Sequence, residues 1–120
     1  MGKIEKDIEK LNTIPYVNNG GCGYVAMGLK RKHGGSIVKL ATGFFSKLYH
    51  IALRMNDNTI VDATGKINES DLNGYTSIEE ISDKELKKLI KNKDLWFGGF
   101  NRNDITAIEK KLNIDLSDLK

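Results

Sequence analysis

Residues 18–29 read NNGGCGYVAMGL. Two asparagines and two glycines lead into Cys22, the chain's only cysteine. From there Val25, Ala26 and Leu29 recur at helical spacing, so a helix is expected from Cys22 to about Lys32. Asn18, Asn19, Gly20 and Gly21 are loop formers. His33, Gly34 and Gly35 close the helix, the glycines suiting a left-handed cap. The single thiol therefore opens a helix behind a glycine-rich loop. The first helical turn has unpaired backbone N–H groups and the positive end of the dipole. A thiolate is stabilised there. Gly21 and Gly23 leave room for a substrate, and the backbone N–H groups around Cys22 are placed to hold an oxyanion. The position suits a nucleophile.

A nucleophilic thiol needs a base. The chain has two histidines. His33 lies at the far end of the same helix, roughly 16 Å away at 1.5 Å per residue, and serves as a partner for the helix dipole. His50 remains. It sits in LYHIALRM, residues 48–55, which with TIVDATG, residues 59–65, flanks Asn56, Asp57 and Asn58. Two β-prone runs around such a turn form a hairpin. Asp62 interrupts the returning strand, where a carboxylate is disfavoured without a partner. A register pairing Ala52 with Asp62 puts His50 and Asp62 diagonally on one face. A register of the other parity separates them. The expected trio is Cys22 as nucleophile, His50 as base and Asp62 as the group that orients the base.

In this order and setting the chain resembles the papain-like and transglutaminase-like superfamily, and more closely the transglutaminase-like core. The segments that carry the likeness are GGCGYVA (20–26), SIVKLATGF (36–44), YHIALRM (49–55) and IVDAT (60–64). They span about residues 18–65. The resemblance implies a papain-like core with a Cys-His-Asp triad of Cys22, His50 and Asp62. It also implies an amide side chain upstream of the cysteine at the oxyanion hole, a part for Asn18 or Asn19. Ala63 stands where relatives carry proline.

Composition narrows the setting. A chain of 120 residues fits one domain. The net charge of +3 is mild and its lysines are scattered, which does not signal nucleic-acid binding. One cysteine excludes an intrachain disulfide and a cysteine-rich zinc site, and a free thiol suits a reducing compartment. MGKIEKDIEKLN lacks the apolar stretch of a secretory signal, and Lys6 disfavours myristoylation. No run approaches the roughly 20 apolar residues of a membrane span. A cytoplasmic protein without membrane or nucleic-acid partners is expected.

The remaining segments suggest an α+β plan: N-terminal helices packed on a small antiparallel sheet, followed by C-terminal helices. Ile4, Ile8 and Leu11 mark a first amphipathic helix, which Pro15 ends. SIVKLATGFF (36–45) reads as a strand. KINESDLNGYTS (66–77) reads as irregular. SIEEISDKELKKLIKN (77–92) reads as two helical pieces breaking near Ser82 and Asp83. NDITAIEKKLNIDL (103–116) reads as a last helix with Asp104 as N-cap. One domain over 1–120 is expected, with its core at about 18–65 and a helical part at 77–120. Trp96, Phe97 and Phe100 read as core, or else as a groove wall.

Each site residue also has a plain structural reading. Cys22 alone suits a buried structural cysteine, His50 a satisfied strand residue, and Asp62 a turn cap at DATG. Taken together they point to a thiol-dependent hydrolase, a peptidase or other amidase, acting on a peptide or protein amide through a thioester, without cofactor or metal. The alternatives are acyl transfer by the same triad, a non-catalytic binding module, and a zinc site formed by Cys22, His50 and Asp62.

Overall fold

The computed structural model of the chain describes residues 2–14, 17, 21–42, 48–91 and 102–119. Its elements are α1 (Gly2–Leu11), α2 (Cys22–His33), β1 (Ser36–Thr42), β2 (Leu48–Arg54), β3 (Ile60–Asp62), β4 (Gly65–Lys66), α3 (Glu69–Leu72), β5 (Ser77–Ile81), α4 (Asp83–Lys91) and α5 (Arg102–Leu112), then a 3-10 turn at Ser117–Leu119. The strands form one antiparallel sheet in the order β4-β3-β2-β1-β5. The architecture is α+β. Among the described residues no helix is long and apolar enough to cross a membrane.

The β2–β3 hairpin sets the geometry of the sheet's middle. Met55 N–H donates to Thr59 O at 2.7 Å, and Asn58 N–H donates to Met55 O at 2.9 Å. Asn58 takes a left-handed backbone with φ 71°, which asparagine tolerates better than most residues. The Asp57 carboxylate accepts from Thr59 N–H at 3.0 Å. This three-residue loop fixes the register Leu53↔Val61 and Arg54↔Ile60. Its parity is the one that places His50 and Asp62 on a common face.

The sheet separates two apolar clusters. One face presents Ile37, Ile51, Leu53, Val61 and Ile81 to the helices, where Leu11, Met27, Leu29, Ile108 and Leu112 fill the main core. Gly28 lets α5 approach α2 closely: a Cβ there would lie 2.9 Å from Leu112 Cδ1. The other face holds a smaller cluster of Val38, Leu40, Ala52 and Ile60, covered by Ile67, Leu72 and Tyr75. The α2–β1 connection needs its two glycines. Gly34 N–H caps the helix on Lys30 O at φ 83°. Gly35 has φ 101°, and a Cβ there would meet Arg54 O at 2.6 Å.

Several expectations are corrected. Ser77–Ile81 is an edge strand paired with β1 in the register Leu40↔Ile78, not a helical piece. The helix starts only after the break at Ser82, where the hydroxyl accepts from Glu85 N–H at 3.1 Å. The C-terminal part from residue 77 is therefore not all helical, and β5 joins the same sheet as residues 36–66. The stretch read as irregular contains β4 and the single turn α3, which Asn68 caps by accepting from Asp71 N–H at 2.9 Å. Asp104 lies inside the first turn of α5 rather than at its N-cap, because the helix begins at Arg102. Pro15, Asn18, Asn19, Phe44, Trp96, Phe97 and Phe100 fall outside the described residues.

His33 has a more specific role than helix-dipole partner. Its Nε2 lies 2.7 Å from Oδ2 of Asp7 on α1. Asp7 is buried, and Lys32 adds an ion pair at 3.0 Å. Burial alone would push the Asp7 carboxyl up. Hydrogen bonds from His33 and Lys32, reinforced by their charges, hold it below its ordinary 3.8. A depressed carboxyl stabilises the fold above its unfolded value, and that stability is lost as pH falls through the folded one. Asp7→Ala should therefore lower the unfolding free energy at pH 7 by about 1–3 kcal/mol, by loss of buried charge-assisted bonds. The gap from wild type should narrow as pH falls below 3.8, in urea unfolding followed by circular dichroism.

Candidate functional site

Cys22 is the first residue of α2. Its N-cap, Gly21, makes no side-chain capping bond, and Gly21 O accepts the first helical bond from Val25 N–H at 3.0 Å. The N–H groups of Cys22 and Gly23 precede that bond, so helix geometry supplies them with no acceptor. The thiol borders the main core: Cys22 is 8% exposed and belongs to the cluster holding Val25, Ile51 and Val61.

His50 lies on β2 opposite Leu40 of β1. Strict alternation assigns it to the sheet face away from α2, with Val38, Leu40 and Ala52. Its imidazole nevertheless lies close enough to Cys22 for the thiol to influence its charge. Two features allow this. The helix begins near the end of the sheet, not over its middle. The β2–β3 ladder consists of two pairs at Leu53 and Arg54 and does not run on to Ala52 and His50, so the strands are no longer tied beside the imidazole.

Asp62 ends β3 and uses its two oxygens differently. Oδ1 accepts from Thr64 N–H at 2.8 Å and from the Thr64 hydroxyl at 2.6 Å. Oδ2 accepts from His50 Nε2 at 2.8 Å. The plain reading of Asp62 as a turn cap and the chemical one as partner of His50 therefore both hold. With Nε2 committed to Asp62, Nδ1 is the ring nitrogen left for the sulfur.

Charge follows geometry. Burial of His50 by itself disfavours the imidazolium. The hydrogen bond to Asp62, then the neighbouring Cys22 and the charge of Asp62, outweigh burial and push its pKa up to about 9. Burial likewise opposes ionisation of Asp62, but bonds from His50 and Thr64 hold its carboxyl below the usual range. At neutral pH an imidazolium thus sits between a carboxylate and the sulfur. Two phenols, one on each face of the sheet, respond to the same groups. Tyr49 packs against the main cluster, and burial followed by the charge on Cys22 pushes its hydroxyl up. Tyr75 packs against the smaller cluster, and burial followed by charges on Asp62, Asp71 and Cys22 does the same.

Of the expected site residues, Cys22, His50 and Asp62 are brought together, and Gly21 and Gly23 flank the sulfur at the helix start. Asn18 and Asn19 lie outside the described residues. The arrangement is a chain, with the imidazole bridging thiol and carboxylate, and not three ligands converging on one point. Among the described residues no three His, Cys, Asp or Glu side chains are grouped to hold a metal ion. Tyr49 and Tyr75 were not anticipated. The only sequence signal for Tyr49 is its place beside His50. Tyr75 stands in a stretch with no readable period.

The chain matches no family model, no curated protein and no solved structure.

The sign of the His50 shift gives a direct check. A raised folded value means that the pairing stabilises the fold fully below the ordinary 6.5 and ceases to do so as pH rises through about 9. In nitrogen-detected NMR titration, both His50 ring nitrogens should remain protonated at pH 7.5 and titrate near 9. Asp62→Asn should move that titration downward.

Proposed function

We propose that the chain is a thiol-dependent hydrolase, a peptidase or other amidase, with the Cys-His-Asp chemistry of the transglutaminase-like and papain-like superfamily. The observation that carries this reading is a single imidazole hydrogen-bonded to a buried carboxylate and close enough to the chain's lone thiol for its charge to respond to it. The glycine N-cap before the thiol adds donors where negative charge would develop.

In this reading the Cys22 thiolate attacks the carbonyl carbon of an amide. The N–H groups of Cys22 and Gly23 hold the oxyanion. The His50 imidazolium gives its proton to the leaving nitrogen as the C–N bond breaks, leaving a thioester on Cys22. Water then attacks the thioester, His50 takes its proton, and the acid is released. Asp62 keeps the imidazole turned toward the sulfur and favours its charged form. If an amine replaces water, the same steps give acyl transfer. Hydrolysis is the simpler outcome, since it needs no second binding surface. The substrate is a peptide or protein amide, and no step calls on a cofactor. A thiol that must stay reduced fits a cytoplasmic setting.

One observation favours a different reading. Cys22 is only 8% exposed, as expected of an inert thiol in a binding module that keeps the trio for structure. Chemical reactivity separates the two. Iodoacetamide should label Cys22 at pH 7 faster than a free cysteine peptide, and His50→Ala should slow that labelling. Once an acyl or peptide probe adds a thioester mass to Cys22, His50→Ala should cut the turnover of that probe by about 10²–10⁴-fold. Labelling no faster than the peptide, and indifferent to His50, would leave the binding module.

A further inference from the structure

Thr64 is exposed and follows the buried run Ile60, Val61, Asp62 and Ala63. It stands in the two-residue turn between β3 and β4, which the pair Asp62↔Gly65 closes. Packing gives no reason for a threonine at an exposed turn position, and the turn itself needs only a backbone donor. That donor is present. Thr64 N–H lies 2.8 Å from Oδ1 of Asp62, a bond that any residue but proline can make. The hydroxyl adds a second donor to the same oxygen at 2.6 Å. This length is typical of a hydroxyl on an ionised carboxylate, and among side chains this short only serine and threonine supply one.

Two donors on Oδ1 do what one does not. A carboxylate turns easily about its last torsion, because that well is broad. A single main-chain bond restrains Oδ1 but leaves the carboxylate plane free to tilt. A second bond, from a different direction, pins the plane. Oδ2 is then held on His50 Nε2 at 2.8 Å. The donors are also neutral. At Asp7, by contrast, the ammonium of Lys32 shares the carboxylate with His33. A cation in the place of Thr64 would cancel the charge that Asp62 presents to the imidazole. A hydroxyl stabilises the carboxylate and leaves that charge in place. The other ionisable groups that bear on this pair are Cys22, at the start of α2, and Tyr75, on the segment that joins the sheet's two edges.

We infer that Thr64 is a positioning residue of the Cys22 site: its hydroxyl, acting through Oδ1 of Asp62, holds Oδ2 on His50 Nε2 and so leaves Nδ1 for the sulfur. The inference rests on the reading of Cys22 as the attacking group. Thr64 acts at two removes from that group, through a carboxylate and then an imidazole.

Thr64→Val tests this, since it removes the hydroxyl, keeps the N–H and nearly keeps the shape. In carbon-detected NMR the Asp62 carboxyl should titrate about one pH unit higher than in wild type. Exchange of the His50 Nε2 proton with water should quicken about tenfold, the worth of one charge-assisted hydrogen bond. Alkylation of Cys22 by iodoacetamide at pH 7 should slow by about threefold or more. Thr64→Ser returns the hydroxyl and should restore all three readings. Thr64→Ala removes it without setting a methyl group against the carboxylate, and should match valine. A threonine that served the turn alone would change stability and move none of these readings. Valine and alanine variants that fold and leave Nε2 exchange as in wild type overturn the inference. Failure of both to fold also overturns it, because the hydroxyl is then a requirement of folding. His50→Ala keeps the hydrolase proposal separate. If it slows iodoacetamide and Thr64→Val does not, the role of Thr64 falls and the hydrolase proposal stands. If it does not slow iodoacetamide, the hydrolase proposal falls while the Nε2 proton still reports on Thr64.

Discussion

Asp62 is where fold and chemistry meet. A carboxylate buried at the end of a three-residue strand is costly unless its oxygens are occupied. One oxygen folds the chain, because Thr64 bonds to it twice and turns β3 toward β4. The other oxygen faces His50. The turn fixes the carboxylate, and the carboxylate fixes the imidazole. Remove the carboxylate, and both the strand exit and the ring orientation lose their reference point. The imidazole is thus oriented by backbone structure, since the two Thr64 bonds that fix the carboxylate are local in sequence.

The remaining constraint is how a helix residue and a strand residue on nominally opposite sides come close enough for one to influence the other's charge. The packed middle of a sheet keeps its faces apart by about the thickness of the backbone and side chains. At the sheet's end that separation disappears if the helix starts there and if one ladder stops short. Both conditions hold. The Asn56-Asp57-Asn58 turn ties β2 to β3 firmly at its own end, and the pairing lapses toward His50. Cys22 opens α2 rather than sitting within it. A thiol two turns further along would face Ile51 or Leu53 in the core and meet no base. The glycine-rich approach thus serves the dipole argument and also the position: it stops the helix where the sheet ends.

These features differ in how far single residues reveal them. The hairpin was legible because Asn and Asp have a physical reason to occupy that turn and because its length fixes parity. The trio was legible because a carboxylate in IVDAT and an imidazole in LYHIA each needed a partner. The α+β plan followed from helical and strand periods in most segments. SIEEI misled, because Ile78 and Ile81 sit three apart, as on a helix, and two glutamates separate them. What decides its state is the open edge of β1, a tertiary fact that no local pattern carries. Charged residues are well suited to such an edge, since they discourage pairing with other chains. The crossing from β4 to β5 was illegible for a related reason: its direction follows from sheet order, and only then does Tyr75 pack on the small cluster. Taking Asp104 as the N-cap started α5 three residues late, since the helix begins at Arg102.

The molecule also holds an internal comparison. Two histidine–aspartate pairs have almost the same length, 2.7 Å for His33–Asp7 and 2.8 Å for His50–Asp62. Both carboxylates are buried, and both are held below their ordinary range. A His–Asp pair by itself therefore says little about chemistry. What differs is the company. Asp7 is also faced by the ammonium of Lys32, so its charge is met by a cluster that fastens α1 to the end of α2. At Asp62 the Thr64 donors are neutral, and the positive charge is brought by an imidazolium whose other nitrogen looks toward a thiol. The first pair closes on itself and consolidates packing. The second borders the chain's lone thiol at a helix start. α2 carries Cys22 at one end and His33 at the other, so the clasp at His33 braces the same helix that presents Cys22. A helix held at its far end is less free to slide along the sheet.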